Sequence, residues 1–175
     1  MSRKIFLLLT EFPTREAKLM GVLTGFRYTH ASVGLDEDMN TFYTFRYSGF
    51  FTEKITRYIR SDRLSFPCQL YELEVSEEAY QSIKTILENF EKYSNYLRYT
   101  KFGLIMSLFH IPYRRRYRYF CSHFVADVLK HSQAAKLKKK SSLYLPNDLR
   151  KLDGMNRIFQ GDLQGYLNQY KILPC

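Results

Sequence analysis

The segment Lys4–Thr10, Lys-Ile-Phe-Leu-Leu-Leu-Thr, sets five large apolar side chains in an unbroken row. A half-buried strand would alternate, so this run reads as a strand buried on both faces. It imitates the start of a secretory signal because Met1-Ser-Arg-Lys precedes it. The run ends at Thr10, Glu11 and Phe12-Pro13 without a small-residue cleavage site, which favours a buried first strand. No segment approaches the length of a membrane span. Together with three widely spaced cysteines, Cys68, Cys121 and Cys175, which form neither a disulfide framework nor a CxxC pair, this leads to the expectation of a soluble cytoplasmic protein in a reducing compartment.

Downstream the chain mixes strand and helix signals. Pro13 and Thr14 open an expected helix through Leu23, with Ala17, Met20 and Val22 partly periodic. Residues 30–35 and 41–47 read as two strands joined across the polar turn Asp36–Asn40, a hairpin. Residues 50–59 are ambiguous between a further strand and a loop. Residues 69–75 alternate cleanly. Ser76 then caps the strongest helix, with Glu77 and Glu78 in its first turn and Ala79, Tyr80, Ile83, Ile86, Leu87 and Phe90 on one stripe. Lys101–Phe109 is a short, very apolar helix, and residues 119–129 form another. A small segment follows Pro146, and Gly161 and Gly165 leave the remaining tail irregular. The expected fold class is α+β, an antiparallel sheet packed against helices, in one domain spanning residues 1–175.

Forty-five per cent of the residues are apolar, and Tyr and Phe supply 15 and 14 of the 175, so a core can form and a disordered chain is excluded. The net charge of +10 is local: Arg114–Lys140 holds nine basic residues against Asp127 alone.

Cysteine offers the one nucleophile with partners. Cys121 sits where a basic loop enters an apolar-faced helix, and free N–H groups, the helix dipole and nearby cations all favour a thiolate there. His30 begins the 30–35 strand, whose alternation groups it with Ser32 and Gly34. A histidine facing that cysteine can take the thiol proton and later protonate a leaving group. His110, His123 and His131 compete for the role, but His123 lies two residues after Cys121 on the same helix and points elsewhere. Sequence patterns for a serine nucleophile elbow, a zinc-binding HExxH, a P-loop or a dinucleotide fold are missing, and no metal or cofactor is expected.

The strand Tyr28-Thr29-His30-Ala-Ser-Val-Gly-Leu35, the strand Phe42-Tyr43-Thr44-Phe45-Arg46 and the distant Phe120-Cys121-Ser122-His-Phe124-Val125-Ala126 resemble the circularly permuted branch of the NlpC-type papain-like cysteine hydrolases. That branch includes the YiiX-like predicted amidases and, more distantly, lecithin:retinol acyltransferase. Its histidine strand precedes the cysteine helix, as His30 precedes Cys121 here. The nearest likeness is to small bacterial proteins of this type, over about residues 4–150. The resemblance implies a papain-like fold and a third polar residue, often an acid, on the strand after the histidine. Thr44 stands at that position, or Tyr43 if the register differs by one. A hydroxyl can accept the imidazole N–H but cannot stabilise imidazolium as a carboxylate does.

The functional expectation is a cysteine amidase, peptidase-like hydrolase or acyltransferase with catalytic Cys121, His30 and Thr44, acting on an amide, ester or thioester carbonyl. The alternative is a non-catalytic binding module of the same fold. In it the basic patch 114–140, with Arg114, Arg115, Arg116 and Arg118 among tyrosines, meets a nucleic acid, an acidic lipid or an acidic protein. The two are compatible, since the patch flanks the nucleophile and can guide an acidic substrate or surface.

Overall fold

A computed structural model describes residues 2–11, 21–35, 39–60 and 65–172. Its frame is a six-stranded antiparallel sheet of β1 (Ser2–Thr10), β2 (His30–Leu35), β3 (Thr41–Arg46), β4 (Gly49–Lys54), β5 (Pro67–Ser76) and β8 (Asn156–Asp162), in the order β4-β3-β2-β1-β5-β8. A parallel pair, β6 (Arg98–Tyr99) and β7 (Arg118–Tyr119), stands apart from it. The helices are α1 (Glu77–Lys92), α2 (Lys101–Leu108), α3 (Cys121–His131), α4 (Pro146–Leu149) and α5 (Leu163–Gln169), with a 3-10 segment at Ile55–Arg60. The α+β class expected from the sequence is the class observed.

β1 explains why a row of five apolar residues is needed. Ile5, Leu7 and Leu9 enter a core shared with α1 and α3, while Phe6 and Leu8 enter a second core covered by α5 and the 55–60 segment. Paired on both edges by β2 and β5 and covered on both faces, β1 is buried from Ile5 to Thr10. On the first face Phe124 of α3 lies among the rings of Phe45, Phe50 and Phe90, with centroids 5.2, 5.6 and 5.0 Å away. Such offset and edge contacts add to simple burial. α1 starts as expected: the Ser76 hydroxyl accepts from the Ala79 N–H at 3.2 Å.

The tail departs from expectation. Residues 156–169 are not irregular: they form the edge strand β8 and the helix α5. An edge strand faces solvent along much of its length, so it carries no apolar alternation to read. Gly165 does not break α5 because it lies in the first turn, where its N–H is capped by Asp162 Oδ1 at 2.7 Å. The helix expected at 119–129 begins two residues later, since Arg118 and Tyr119 are held in β7 against β6. Of the expected helix 13–23, residues 21–24 are helical, and the part carrying Pro13, Ala17 and Met20 lies outside the described residues. So do Asp36–Asp38 of the expected turn, and Cys175.

α2 is built the wrong way round for a helix of a water-soluble domain. It turns the small residues Gly103 and Ser107 inward and leaves Phe102 and Ile105 exposed, with Phe109 just beyond its end. Gly103 has little room for a side chain: a Cβ there would meet the helix's own N-cap, Thr100, at 2.8 Å and the Tyr113 ring at 3.4 Å. The contrast in burial sets a stability test. Phe124→Ala, at a fully buried ring, lowers the free energy of unfolding by about 3–5 kcal/mol in urea titration, whereas Phe109→Ala changes it by less than about 0.5 kcal/mol.

Candidate active site

β2 and α3 meet end to end at the site. His30 is the first residue of β2, opposite Thr10 of β1, and Cys121 is the first residue of α3. The Cys121 thiol stands beside the His30 imidazole, and its surroundings there, with the backbone N–H groups of Ala31 and Ser122, favour the charged sulfur. Sγ lies 4.0 Å from the carbonyl oxygen of Thr29. No side chain caps α3, so its first-turn N–H groups are left to face whatever stands before the helix.

The Nε2 edge of the imidazole meets two oxygens. Thr44 Oγ1 is 3.3 Å away and Glu53 Oε2 is 3.6 Å away. The Thr44 hydroxyl gives its single proton to the Ala31 carbonyl at 2.7 Å, so it faces the ring as an acceptor. Glu53 is only 1% exposed. Its Oε1 accepts from the Arg46 guanidinium and from the Tyr58 hydroxyl, which leaves Oε2 for the imidazole.

These contacts decide the charges. Burial disfavours the His30 imidazolium, yet the Cys121 sulfur and the Glu53 carboxylate beside the ring outweigh that and raise it to about 9. Burial likewise disfavours the Glu53 carboxylate, but His30, Arg46 and the Tyr58 hydroxyl hold it down to about 2. Burial opposes the Cys121 thiolate too, and the hydrogen bond and charge of His30, with the two backbone N–H groups, bring the thiol below its ordinary range. Tyr58 is pushed well above the usual phenol range by burial and by the Glu53 charge, so it stays a donor. Around the imidazole the acidic groups Cys121 and Glu53 thus alternate with the basic groups His30 and Arg46, each favouring the charged form of its neighbour. Family models and curated proteins compared with the chain give no match. The site is therefore read from its own geometry.

Cys121, His30 and Thr44, singled out in the sequence, stand together. Tyr43 does not join them: it turns to the other face of β3, where it stacks on Phe50 at 6.2 Å. The residue missed is Glu53. The resemblance implies an acid on the strand directly after the histidine, and the acid beside the ring lies one strand further on, on β4. A signal for it exists. The two-residue turn Tyr47-Ser48 pairs Arg46 with Gly49, and counting back pairs Thr44 with Phe51 and Phe42 with Glu53, on the face that carries Thr44. Gly49 is required at that turn, because its φ is +112° and a Cβ would come 2.5 Å from the Leu97 carbonyl oxygen.

The rival histidines serve elsewhere. His123 is buried against Tyr119 and Phe120, 3.6 Å from Asp127, and burial drives it down to about 4. His131 lies 4.0 Å from the same carboxylate, and His110 is exposed. Asp127 also accepts from the Ser141 hydroxyl and lies 3.7 Å from Arg114, which ties the basic loop to α3. The remaining basic residues divide. Lys139 pairs with Asp148 at 2.8 Å and Lys138 with Asp153 at 3.5 Å, around a groove of about 530 Å³ that Lys130, Lys136 and Lys140 also line.

The thiol chemistry sets a measurement. Iodoacetamide, a small reagent, suits a cysteine whose residue is 5% exposed, and the Cys121→Ser variant reports the other thiols. Cys68 adds nothing, since burial pushes it up to about 12. Cys121 is expected to alkylate well below the ordinary thiol pKa of about 8.5, and to do so only near it in His30→Ala. Glu53→Gln removes the anion that supports imidazolium, so it shifts thiolate formation to higher pH. An unshifted profile in both variants refutes the charge assignment.

Proposed function

We propose that the protein is a cysteine hydrolase or acyltransferase of the permuted papain-like type. The observation that carries this reading is the alignment of Cys121 at a helix start, His30 at a strand start and Glu53 behind the imidazole. It is a nucleophile, base and orienting-acid sequence in which each group is buried and partnered.

The Cys121 thiolate attacks the carbonyl carbon of an amide, ester or thioester, and the carbonyl π electrons move onto oxygen. The N–H groups of the first turn of α3 are placed to hold that oxyanion. The His30 imidazolium gives its proton to the departing amine, alcohol or thiol as the carbon–heteroatom bond breaks, which leaves a thioester on Cys121 and a neutral imidazole. Glu53 and Thr44 keep the ring turned toward the sulfur, and Glu53 stabilises the charge the ring regains. His30 then takes a proton from water, or from an acceptor nucleophile, as it attacks the thioester, and the thiolate leaves. Water makes the cycle a hydrolase and an acceptor makes it a transferase.

The test is acyl-enzyme formation with activated acyl esters and aryl amides, followed by intact-mass spectrometry. The wild type is expected to gain one acyl group on Cys121, and Cys121→Ala to gain none there. His30→Ala should slow acylation by about 10²–10⁴-fold. Glu53→Gln should slow it less, with its pH optimum moved upward. Acylation unaffected by His30→Ala rules out the mechanism.

A further inference from the structure

Phe102 and Ile105 stand three residues apart on α2, and Phe109 follows four later, so the three share one exposed stripe. Phe109 is 69% exposed, and Ile111 just after it is 51% exposed. Helices that pack on a domain turn their large apolar side chains inward; α2 turns glycine and serine inward. The stripe continues through Tyr113, whose ring meets Phe102 at 4.9 Å, directly into Arg114, Arg115 and Arg116. There Arg115 and Arg118 close a tight turn, with the Arg118 N–H on the Arg115 carbonyl at 3.1 Å, and Arg116 lies 4.8 Å over the exposed Tyr117 ring. From Tyr93 to Ala126 the sequence contains no acidic residue, while it holds six Arg or Lys and six Tyr.

Apolar side chains projecting from a helix, an adjoining cationic rim and tyrosines between them match one kind of surface: a bilayer interface with anionic headgroups. The apolar stripe suits the acyl boundary, and the arginines suit the phosphate and carboxylate charges just outside it. A nucleic acid would have no use for Phe102, Ile105 and Phe109 in a row along a helix, and an apolar protein groove would leave the arginine turn uncompensated. We infer that α2 and the arginine turn form an interfacial docking surface for anionic membranes. No described helix is long and apolar enough to cross a membrane, so the attachment is peripheral. Arg118 and Tyr119 lead through Phe120 into Cys121, so docking would bring the start of α3 close to the lipid surface.

The chain has no tryptophan, which makes Phe109→Trp a single reporter at the tip of the stripe. Added to phosphatidylcholine vesicles containing phosphatidylserine, this variant is expected to show a blue-shifted emission and quenching by brominated acyl chains. Phosphatidylcholine alone should give neither. In flotation assays Arg115→Gln with Arg116→Gln should weaken partition by about fivefold per arginine. Phe102→Ser with Phe109→Ser should weaken it at least as much, with circular dichroism unchanged. Cys121→Ala should float like the wild type, so this inference stands or falls apart from the reactivity of the thiol. An unshifted emission overturns it, as does flotation indifferent to the Phe102 and Phe109 changes. So does a dimer, seen by sedimentation velocity, that those changes dissolve while vesicles have no effect.

Discussion

A carboxylate at 1% exposure is the interaction on which the site depends. An ion taken out of water without partners costs several kcal/mol, so Glu53 can be charged only because Arg46, Tyr58 and His30 surround it. The same requirement reads in the other direction. His30 holds its proton more tightly because Glu53 and Cys121 flank it, and the Cys121 thiol is brought down because His30 stands beside it. Each charge favours the next, which is how a thiol covered by protein can be held below its ordinary range.

The sheet provides that order by register. β2 and β3 put Thr44 beside His30, and β4 brings Glu53 alongside through a turn of two residues. A slip of one residue would send Glu53 to the opposite face, among Phe45, Phe50 and Phe124, and Tyr43 toward the imidazole. Gly49, which no other residue replaces without meeting the Leu97 carbonyl, holds the register in place.

What the sequence revealed follows from what kind of force places each residue. Strand β1, the Ser76-capped helix and the His30 strand were legible because burial and capping leave local patterns. Cys121 was legible because loop and helix composition change at that residue. Glu53 was not, since its burial depends on pairing between strands and its immediate neighbours Thr52 and Lys54 look like a solvent edge. The β8–α5 tail was hidden for a related reason: an edge strand supported by the sheet needs little apolar alternation of its own. α2 was legible as an apolar helix, but which way it faces is set by where Gly103 and Ser107 are buried, which the helix's own pattern does not display.

The second core carries a consequence for how the protein is made. Tyr58, which donates to Glu53, sits in that core with Ile55, and the cover over it comes from Leu163, Tyr166 and Leu167 of α5. The Tyr166 hydroxyl donates to the Met39 carbonyl at 2.6 Å across 127 residues of chain. Until that stretch has left the ribosome, the face holding Glu53 stays open to water, and a hydrated carboxylate exerts little pull on an imidazole. A chain that lacks this stretch therefore lacks part of the support for the charge on Glu53, and with it part of the support for the His30 imidazolium. The thiol of Cys121 is thus tuned by residues that never touch it.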